Sequence, residues 1–204
     1  MIEPEFRPFA KIARFDREII VTEKLDGTNG LVYVSEDLTV VRAGSRSRWI
    51  TPAADNFGFA RWVEQHADEL RQLGPGYHYG EWWGHGIGRK YGLDHKRFSL
   101  FNVWRWADEL VFRYLAGLAN NAMPTPERTK RPLCCHVVAV LAKGRMSGVD
   151  EPDGAVAQSL ATLRELGSQA VPGFMKPEGV VVFHAASGQL FKITLEKDEG
   201  KGDS

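Results

Sequence analysis

Lys24 lies in the segment of this chain whose residue types best suit covalent chemistry. Residues 23–30 read Glu-Lys-Leu-Asp-Gly-Thr-Asn-Gly and follow a β-rich stretch at 19–22. Asp-Gly and Asn-Gly pairs favour tight turns, and glycine lets a backbone approach a ligand closely. A lysine amine placed there is able to attack the α-phosphate of a nucleotide and form a phosphoramide. A surface hairpin with an exposed lysine would have the same sequence, so the octapeptide alone does not decide between the two.

Glycine-rich phosphate loops are absent from the sequence. No segment has the form GxxxxGK[ST], and Gly84-His85-Gly86-Ile87-Gly88 does not have the GxGxxG spacing of dinucleotide-binding turns. A bound nucleotide would therefore be held by charged side chains and metal rather than by a glycine cradle.

Four later segments each bring an acid, a ring or a second lysine to strand-like sequence. They are residues 79–84 with Glu81, 99–103 with Phe101, 177–182 with Glu178, and 189–194 with Lys192. One lysine nucleophile, two acids, an aromatic ring and another lysine together suit an ATP site. Taken singly, Glu81 also fits a rim position, Phe101 a core position and Glu178 a Pro-Glu-Gly turn.

The segments that must position these residues mix strands and helices without regular βαβ alternation. Strands are predicted at 19–22, 31–34, 38–42, 77–81, 98–104, 133–141, 179–184 and 190–194, and helices at 55–73, 108–119 and 156–166. A hairpin-like loop is expected to join the first two strands. The pattern favours an α+β fold with antiparallel sheets and helices packed outside them.

Composition narrows the class of protein. The 204 residues are 43% hydrophobic, which is enough for a substantial core, and 26 acidic residues balance 26 basic ones. This balance argues against a protein that coats nucleic acid through net positive charge. Local basic groups occur at Arg42, Arg46 and Arg48 and again within residues 89–97, and they suit either phosphates or solvent.

Neither a membrane span nor a disulfide framework is predicted. No apolar run approaches the roughly 20 residues of a span, and the first residues lack the features of a signal peptide, so a soluble, cytoplasmic protein without a membrane partner is expected. The two cysteines, Cys134 and Cys135, are adjacent and are interpreted as strand residues. A thiol nucleophile beside His136 is disfavoured because neighbours on a strand point to opposite faces.

The ordered set of motifs resembles the nucleotidyltransferase motifs of ATP-dependent ligases and mRNA capping enzymes. It is most similar to ATP-dependent RNA ligases of the type 2 branch, because Asn29 follows the Lys-x-Asp-Gly core where DNA ligases more often have arginine. The resemblance spans about residues 20–197. It implies two antiparallel β-sheets that form an ATP cleft, flanked by helices. It also implies a single nucleotidyltransferase domain over residues 1–204, without an appended C-terminal nucleic-acid-binding domain.

The resemblance implies a role for each matching residue. Lys24 would be the nucleophile that becomes adenylated. Nucleotide-binding roles are implied for Glu23, Asp26, Gly27, Asn29, Arg46, Glu81, Phe101, Glu178 and Lys192. Among these, Glu81 would bind the ribose, Phe101 would stack on adenine and Lys192 would contact the α-phosphate.

The remaining roles concern metal and phosphate. Glu178 and Asp26 would bind the divalent metal, Mg²⁺ or Mn²⁺; Asp26 and Asn29 would hold ribose, metal-bound water or a 5′-phosphate, and Arg46 would meet phosphates. The family often has a second lysine two residues after Lys192, but this chain has Thr194. Phosphate neutralisation would then depend on Lys192, Lys197 or metal.

The implied reaction has three steps. Lys24 and ATP give lysyl-AMP and pyrophosphate, AMP passes to a 5′-phosphate end, and a 3′-hydroxyl then seals the strand. RNA is the preferred substrate, and sealing is expected to be weak or to need a partner protein that supplies further nucleic-acid contacts. A minimal DNA ligase, a capping-type guanylyltransferase and a catalytically silent nucleic-acid-binding module are the alternatives.

Overall fold

The computed structural model describes residues 5–118, 130–149 and 151–196. The strands in chain order are β1 (Glu18–Lys24), β2 (Thr28–Val34), β3 (Val41–Gly44), β4 (Trp49–Ile50), β5 (Gly76–Gly84), β6 (Lys96–Leu100), β7 (Cys135–Val137), β8 (Val140–Arg145), β9 (Gly179–His184) and β10 (Gln189–Thr194). The α-helices are α1 (Phe59–Gln65), α2 (Ala67–Leu70), α3 (Val103–Trp106), α4 (Glu109–Ala116) and α5 (Ala155–Leu166). Short 3₁₀ turns cover Arg71–Leu73 and Met146–Gly148.

A four-stranded sheet contains the first and last strands in the order β10-β9-β1-β8, and all its neighbours are antiparallel. Alternation along β1 buries Ile19 and Val21 against α5, where Val156 and Leu163 complete an apolar cluster. Lys24 is the last residue of β1 and pairs with Gly179 at the start of β9. The end of this sheet is therefore where the lysine meets the segment that precedes β9.

A six-stranded sheet has the order β4-β3-β2-β5-β6-β7 and is antiparallel apart from the parallel β6–β7 pair. One face packs on α1 through Val32, Phe59, Trp82 and Phe98. The opposite face carries Asn29 and Glu81, which are direct cross-strand partners. The prediction of an α+β fold with two sheets and flanking helices is thus confirmed, with one parallel pair as an exception.

The connection after Lys24 is not the hairpin loop that the turn pairs predicted. β1 belongs to the four-stranded sheet and β2 to the six-stranded sheet, so the chain crosses from one to the other at residues 25–27. The backbone N–H of Asp26 donates to Tyr91 Oη at 2.9 Å and that of Gly27 to Glu81 Oε1 at 3.1 Å. Other elements therefore satisfy the donors that a hairpin would have paired locally.

Three further segments differ from prediction. Residues 133–141 divide into β7 and β8, which lie in different sheets, and 98–104 end as a strand at Leu100 before α3 begins. The helix expected over 55–73 is interrupted at His66. The helices expected at 108–119 and 156–166 are present as α4 and α5, although residue 119 lies outside the described residues.

Both cysteines are free thiols, and Cys135 is buried at the start of β7. A hydrogen bond with Cys134 and burial raise the pKa of the Cys135 thiol, which disfavours a thiolate nucleophile.

In the parts of the chain that the structure describes, no helix is both long enough and apolar enough to cross a bilayer.

Candidate active site

Lys24 and Glu178 form an ion pair at the ends of two neighbouring strands. The distance from Lys24 Nζ to Glu178 Oε2 is 2.6 Å, and the side chains are 22% and 18% exposed. The β1–β9 register produces this contact because Gly179, the residue after Glu178, lies opposite Lys24. The lysine is thus fixed at the end of the sheet, and its side chain keeps partial exposure to solvent.

Glu81 approaches the same lysine from the six-stranded sheet. Its carboxylate accepts the Gly27 N–H at 3.1 Å, and a Cβ on Gly27 would lie 2.5 Å from the Trp82 carbonyl oxygen, so only glycine fits there. Burial raises the pKa of Glu81 from 4.5 to about 7; the nearby Lys24 charge and the Gly27 hydrogen bond partly oppose this shift. A carboxyl group that titrates near neutrality in such a place is a marker of a functional site.

Asp26 is held by a loop that joins β5 to β6. Its Oδ2 accepts the Arg89 backbone N–H at 3.0 Å and lies 3.6 Å from the Arg89 Nε. Gly88 packs so closely that a Cβ there would lie 2.6 Å from the Asp26 carboxyl carbon. Asp26 therefore anchors the turn after Lys24 to this loop.

Arg89 and Tyr91 were not assigned to the site from the sequence. Arg89 also pairs with Glu196 at 2.9 Å and donates to the Lys176 carbonyl oxygen, while Tyr91 is buried and holds the Asp26 amide. The sequence offered two signals here: the glycine-rich residues 84–88, which do not fit the spacing of a dinucleotide-binding turn, and the basic group within residues 89–97, which suits either phosphates or solvent.

Lys192 lies on the same sheet face as Lys24 but is not in contact with it. Lys192 pairs with Val181 on β9, and Val181 pairs with Thr22 on β1. Lys192 is therefore two strands from β1 and level with Thr22, two residues before Lys24, which corresponds to about 12 Å between the Cα atoms of the two lysines. Two lysine side chains at this separation are able to reach one phosphate between them. Thr194 pairs with Gly179, and its hydroxyl donates to the Glu196 carbonyl oxygen. Lys197 lies outside the described residues.

Phe101 and Asn29 lie on the Glu81 side of the site. The ring of Phe101 follows β6 and is 37% exposed, and the Phe101 N–H donates to the Tyr79 carbonyl oxygen. Asn29 is exposed beside Glu81. Both side chains are exposed to solvent, and their roles toward a nucleotide stay predictions.

One of the predicted nucleotide-binding side chains, that of Glu23, is engaged elsewhere. Glu23 is buried, and its carboxylate accepts the N–H groups of Gln169 and Ala170 at 2.8 and 2.9 Å; burial raises the pKa of Glu23. Its side chain therefore positions the loop before β9, and only its backbone is near Lys24. Arg46 is exposed in the turn between β3 and β4 of the six-stranded sheet, which also carries Asn29 and Glu81; its contact with phosphates stays a prediction.

The residues predicted to bind metal fit only in part. Among the residues that the structure describes, no group of three or more His, Cys, Asp or Glu side chains is arranged around a common point. Asp26 is turned toward Arg89, whereas Glu178 Oε2 is buried and has the Lys24 amine as its ion-pair partner. A single carboxylate suits Mg²⁺, which is commonly bound by one or two carboxylates together with substrate phosphates and water.

The raised pKa of Glu81 predicts a stability change in Glu81→Gln. Between pH 4.5 and about 7 the native state keeps a proton that the unfolded state has lost, so the free energy of unfolding of the wild type falls as pH rises through this window. At about 1.4 kcal/mol per pKa unit the loss is at most about 3.5 kcal/mol, and partial exposure reduces it. We expect Glu81→Gln, which keeps the Gly27 hydrogen-bond acceptor, to be more stable than wild type at pH 8 and equal to it near pH 4. Urea unfolding at several pH values measures this difference, and a difference independent of pH would contradict it.

Comparisons with known proteins identify the class of fold and then the family. An archaeal ATP-dependent RNA ligase has a TM-score of 0.54 at 18% identity, over 93% of this chain and 48% of that one. A Naegleria gruberi RNA ligase variant without ligand has a TM-score of 0.52 at 19% identity, and another solved with ATP and Mn has 0.50 at 20%; both matches cover 87% of this chain. The chain thus has the nucleotidyltransferase fold of ATP-dependent RNA ligases.

The chain belongs to the RNA ligase family, because the family model described as RNA ligase matches residues 17–194. No curated protein sequence matches it. The chain spans about half the length of the similar solved structures.

Proposed function

We propose that this chain is the nucleotidyltransferase unit of an ATP-dependent RNA ligase in which Lys24 carries AMP covalently. The observation that supports this most directly is the 2.6 Å Lys24–Glu178 pair; Glu81, on the other sheet, is near enough for the charges of both residues to act on its pKa. A lysine in an ion pair at a sheet end, between carboxyl groups from distant parts of the chain, is arranged for attack on a phosphate rather than for surface solvation.

The first step joins Lys24 Nζ to the α-phosphorus of ATP and breaks the bond from that phosphorus to the pyrophosphate oxygen. Lys24 must lose a proton before it attacks, and the Glu178 carboxylate at 2.6 Å is placed to accept it. Lys192 on the same face would offset charge on the α-phosphate. A divalent ion held by Glu178 and phosphate oxygens would supply further charge neutralisation.

Glu81, Asp26 and Arg89 fix the geometry of that attack. Glu81 accepts a hydrogen bond from the Gly27 amide. Its carboxylate would also accept a hydrogen bond from a ribose hydroxyl of ATP. Arg89 and Tyr91 hold Asp26, so the turn that follows the nucleophile is set before ATP binds. Such preorganisation is worth several orders of magnitude in rate.

The later steps use the same site. AMP passes from Lys24 Nζ to an oxygen of an RNA 5′-phosphate, which breaks the phosphoramide bond, and a 3′-hydroxyl then attacks that phosphate and releases AMP. The proposed cofactors are ATP with Mg²⁺ or Mn²⁺; the similar Naegleria gruberi RNA ligase was solved with ATP and Mn. The proposed domain is one nucleotidyltransferase unit, and a partner protein that supplies further nucleic-acid contacts stays a prediction.

The test is covalent labelling. The protein is incubated with α-labelled ATP and Mg²⁺, denatured and digested, and the adduct is mapped by mass spectrometry; we expect AMP on Lys24. Parallel reactions with GTP, and with nicked duplexes of RNA or DNA, distinguish the capping-type and DNA ligase alternatives. If the folded protein forms no covalent adduct, the silent-module alternative is favoured and the proposal fails.

Phe101→Ala is expected to weaken ATP use without removing the nucleophile. Loss of one base-stacking ring corresponds to roughly a tenfold rise in the ATP concentration for half-maximal adduct formation, while the rate at saturation changes little. Phe191→Ala is the control, since Phe191 is 47% exposed on β10 and its ring alternates away from Lys192. Equal effects of the two substitutions would show that Phe101 does not stack on the base.

A further inference from the structure

A cluster of aromatic rings lies on the six-stranded sheet, on the face opposite its helix-covered core. We call Tyr33, Trp49, Tyr77 and Tyr79 the aromatic platform. The ring centroid of Tyr33 lies 4.9 Å from that of Tyr77 and 5.9 Å from that of Trp49. Trp49, Tyr77 and Tyr79 are 41%, 58% and 57% exposed. Contiguous exposed rings of this kind mark a binding surface.

The aromatic platform is continuous with the candidate active site. Register pairs Asn29 with Glu81 in one row and Tyr33 with Tyr77 in a row four residues further along, on the same face by alternation. At 3.4 Å per residue this is about 14 Å from the Glu81 row, or about four nucleotides at the 3.4 Å spacing of a stacked strand. A ligand that extends from Lys24 along this face would meet the rings.

Positive charge accompanies the rings. The guanidinium carbon of Arg42 lies 4.6 Å from the Trp49 ring centroid, and Arg42 pairs with Tyr33 in the sheet. Arg46 and Arg48, in the turn before Trp49, are both exposed. In a chain with no net charge, this combination of flat rings and guanidinium groups is complementary to bases and phosphates.

We infer that the aromatic platform binds unpaired bases of a single-stranded RNA near the end that reacts at Lys24, with Arg42 contacting the phosphate backbone. The inference deepens the proposed function and rests on it for the position of the reacting end. An unpaired strand fits because its bases are free to stack on protein rings, whereas bases in a duplex stack on one another.

The test compares strand binding by wild type, Trp49→Ala, Tyr77→Ala and the double variant. Fluorescence anisotropy is measured without ATP, using a labelled 5′-phosphorylated RNA of about 12 nucleotides and one of about three. We expect about tenfold weaker binding of the longer RNA for each single variant and about a hundredfold for the double variant. The short RNA and a blunt duplex should be affected little. Tyr77→Phe, which keeps the ring, should bind like wild type.

Tyr114→Ala is the matched control, since Tyr114 is 51% exposed on α4, and it should bind the longer RNA like wild type. Thermal unfolding confirms that each variant is folded. Covalent labelling with ATP is run on wild type and on the same variants. If wild type forms no adduct, the proposed function fails, whatever the RNA-binding result. Unchanged binding by the double variant, equal weakening for duplex, or no binding by wild type would each overturn the inference. Shielding of Trp49 from a soluble quencher in the protein alone would overturn it too, because a protein segment would then cover the platform.

Discussion

Lys24→Ala is expected to abolish the covalent AMP adduct completely. The amine is the only atom that the proposed first step bonds to phosphorus, so its removal leaves no residual route rather than a slower one. Lys24→Arg should also form no adduct, because arginine keeps the charge beside Glu178 but stays protonated. The measurement is label retained by denatured protein after incubation with α-labelled ATP, followed by peptide mapping.

The structure offers a closely matched control for this lysine. Lys143 on β8 is 24% exposed and pairs with Glu18 at 2.9 Å, much as Lys24 is 22% exposed and pairs with Glu178. Lys143→Ala should therefore retain the adduct. Partly exposed ion pairs contribute at most about 1 kcal/mol to stability, so both variants should stay folded. An adduct of wild-type intensity on Lys24→Ala would exclude Lys24 as the nucleophile.

Glu178→Gln is expected to slow adduct formation on the order of 100- to 1000-fold. The substitution keeps the size of the side chain but removes the charge that accepts the lysine proton and that would bind a divalent ion, and losing one such group typically costs this much in rate. Single-turnover labelling at saturating ATP measures the rate directly. A residual rate that responds to higher Mg²⁺ concentration would assign part of the loss to metal binding.

Glu18→Gln is the control for Glu178, because Glu18 is the acid of the Lys143 pair. We expect Glu18→Gln to label within a few-fold of wild type. If Glu178→Gln also labels at the wild-type rate, the 2.6 Å pair is structural and another group must deprotonate Lys24. Glu81 would then be the next candidate, since its pKa of about 7 lets it exchange a proton near neutrality.

Much of the fold was predictable because it depends on local pattern. The apolar run at residues 179–184 predicted β9 with its observed bounds, and the periodicity at 156–166 predicted α5 within one residue. The order of Lys24, Glu81 and Glu178 along the chain led to the RNA ligase family, which the match over residues 17–194 confirms. Residue type and order are properties of the sequence itself.

The partners of individual side chains could not be predicted in the same way. Glu23 and Lys24 are adjacent in the sequence, yet the Glu23 carboxylate is buried against Gln169 and Ala170 while the Lys24 amine pairs with Glu178. Asp26 was predicted as a metal ligand, but the loop at Arg89 holds it. These outcomes depend on which distant backbone donors need an acceptor.

The sequence by itself determined most of the elements and the family, and it supplied Lys24, Glu81 and Glu178 as the candidate nucleophile and acids. Only the tertiary structure decided that the chain leaves one sheet for the other directly after Lys24, where Glu178 pairs with the amine and Glu81 of the other sheet holds the Gly27 amide. The physical reason is that alternation and turn propensity act over a few residues, whereas the sheet that a strand joins is chosen by burial of faces from the whole chain.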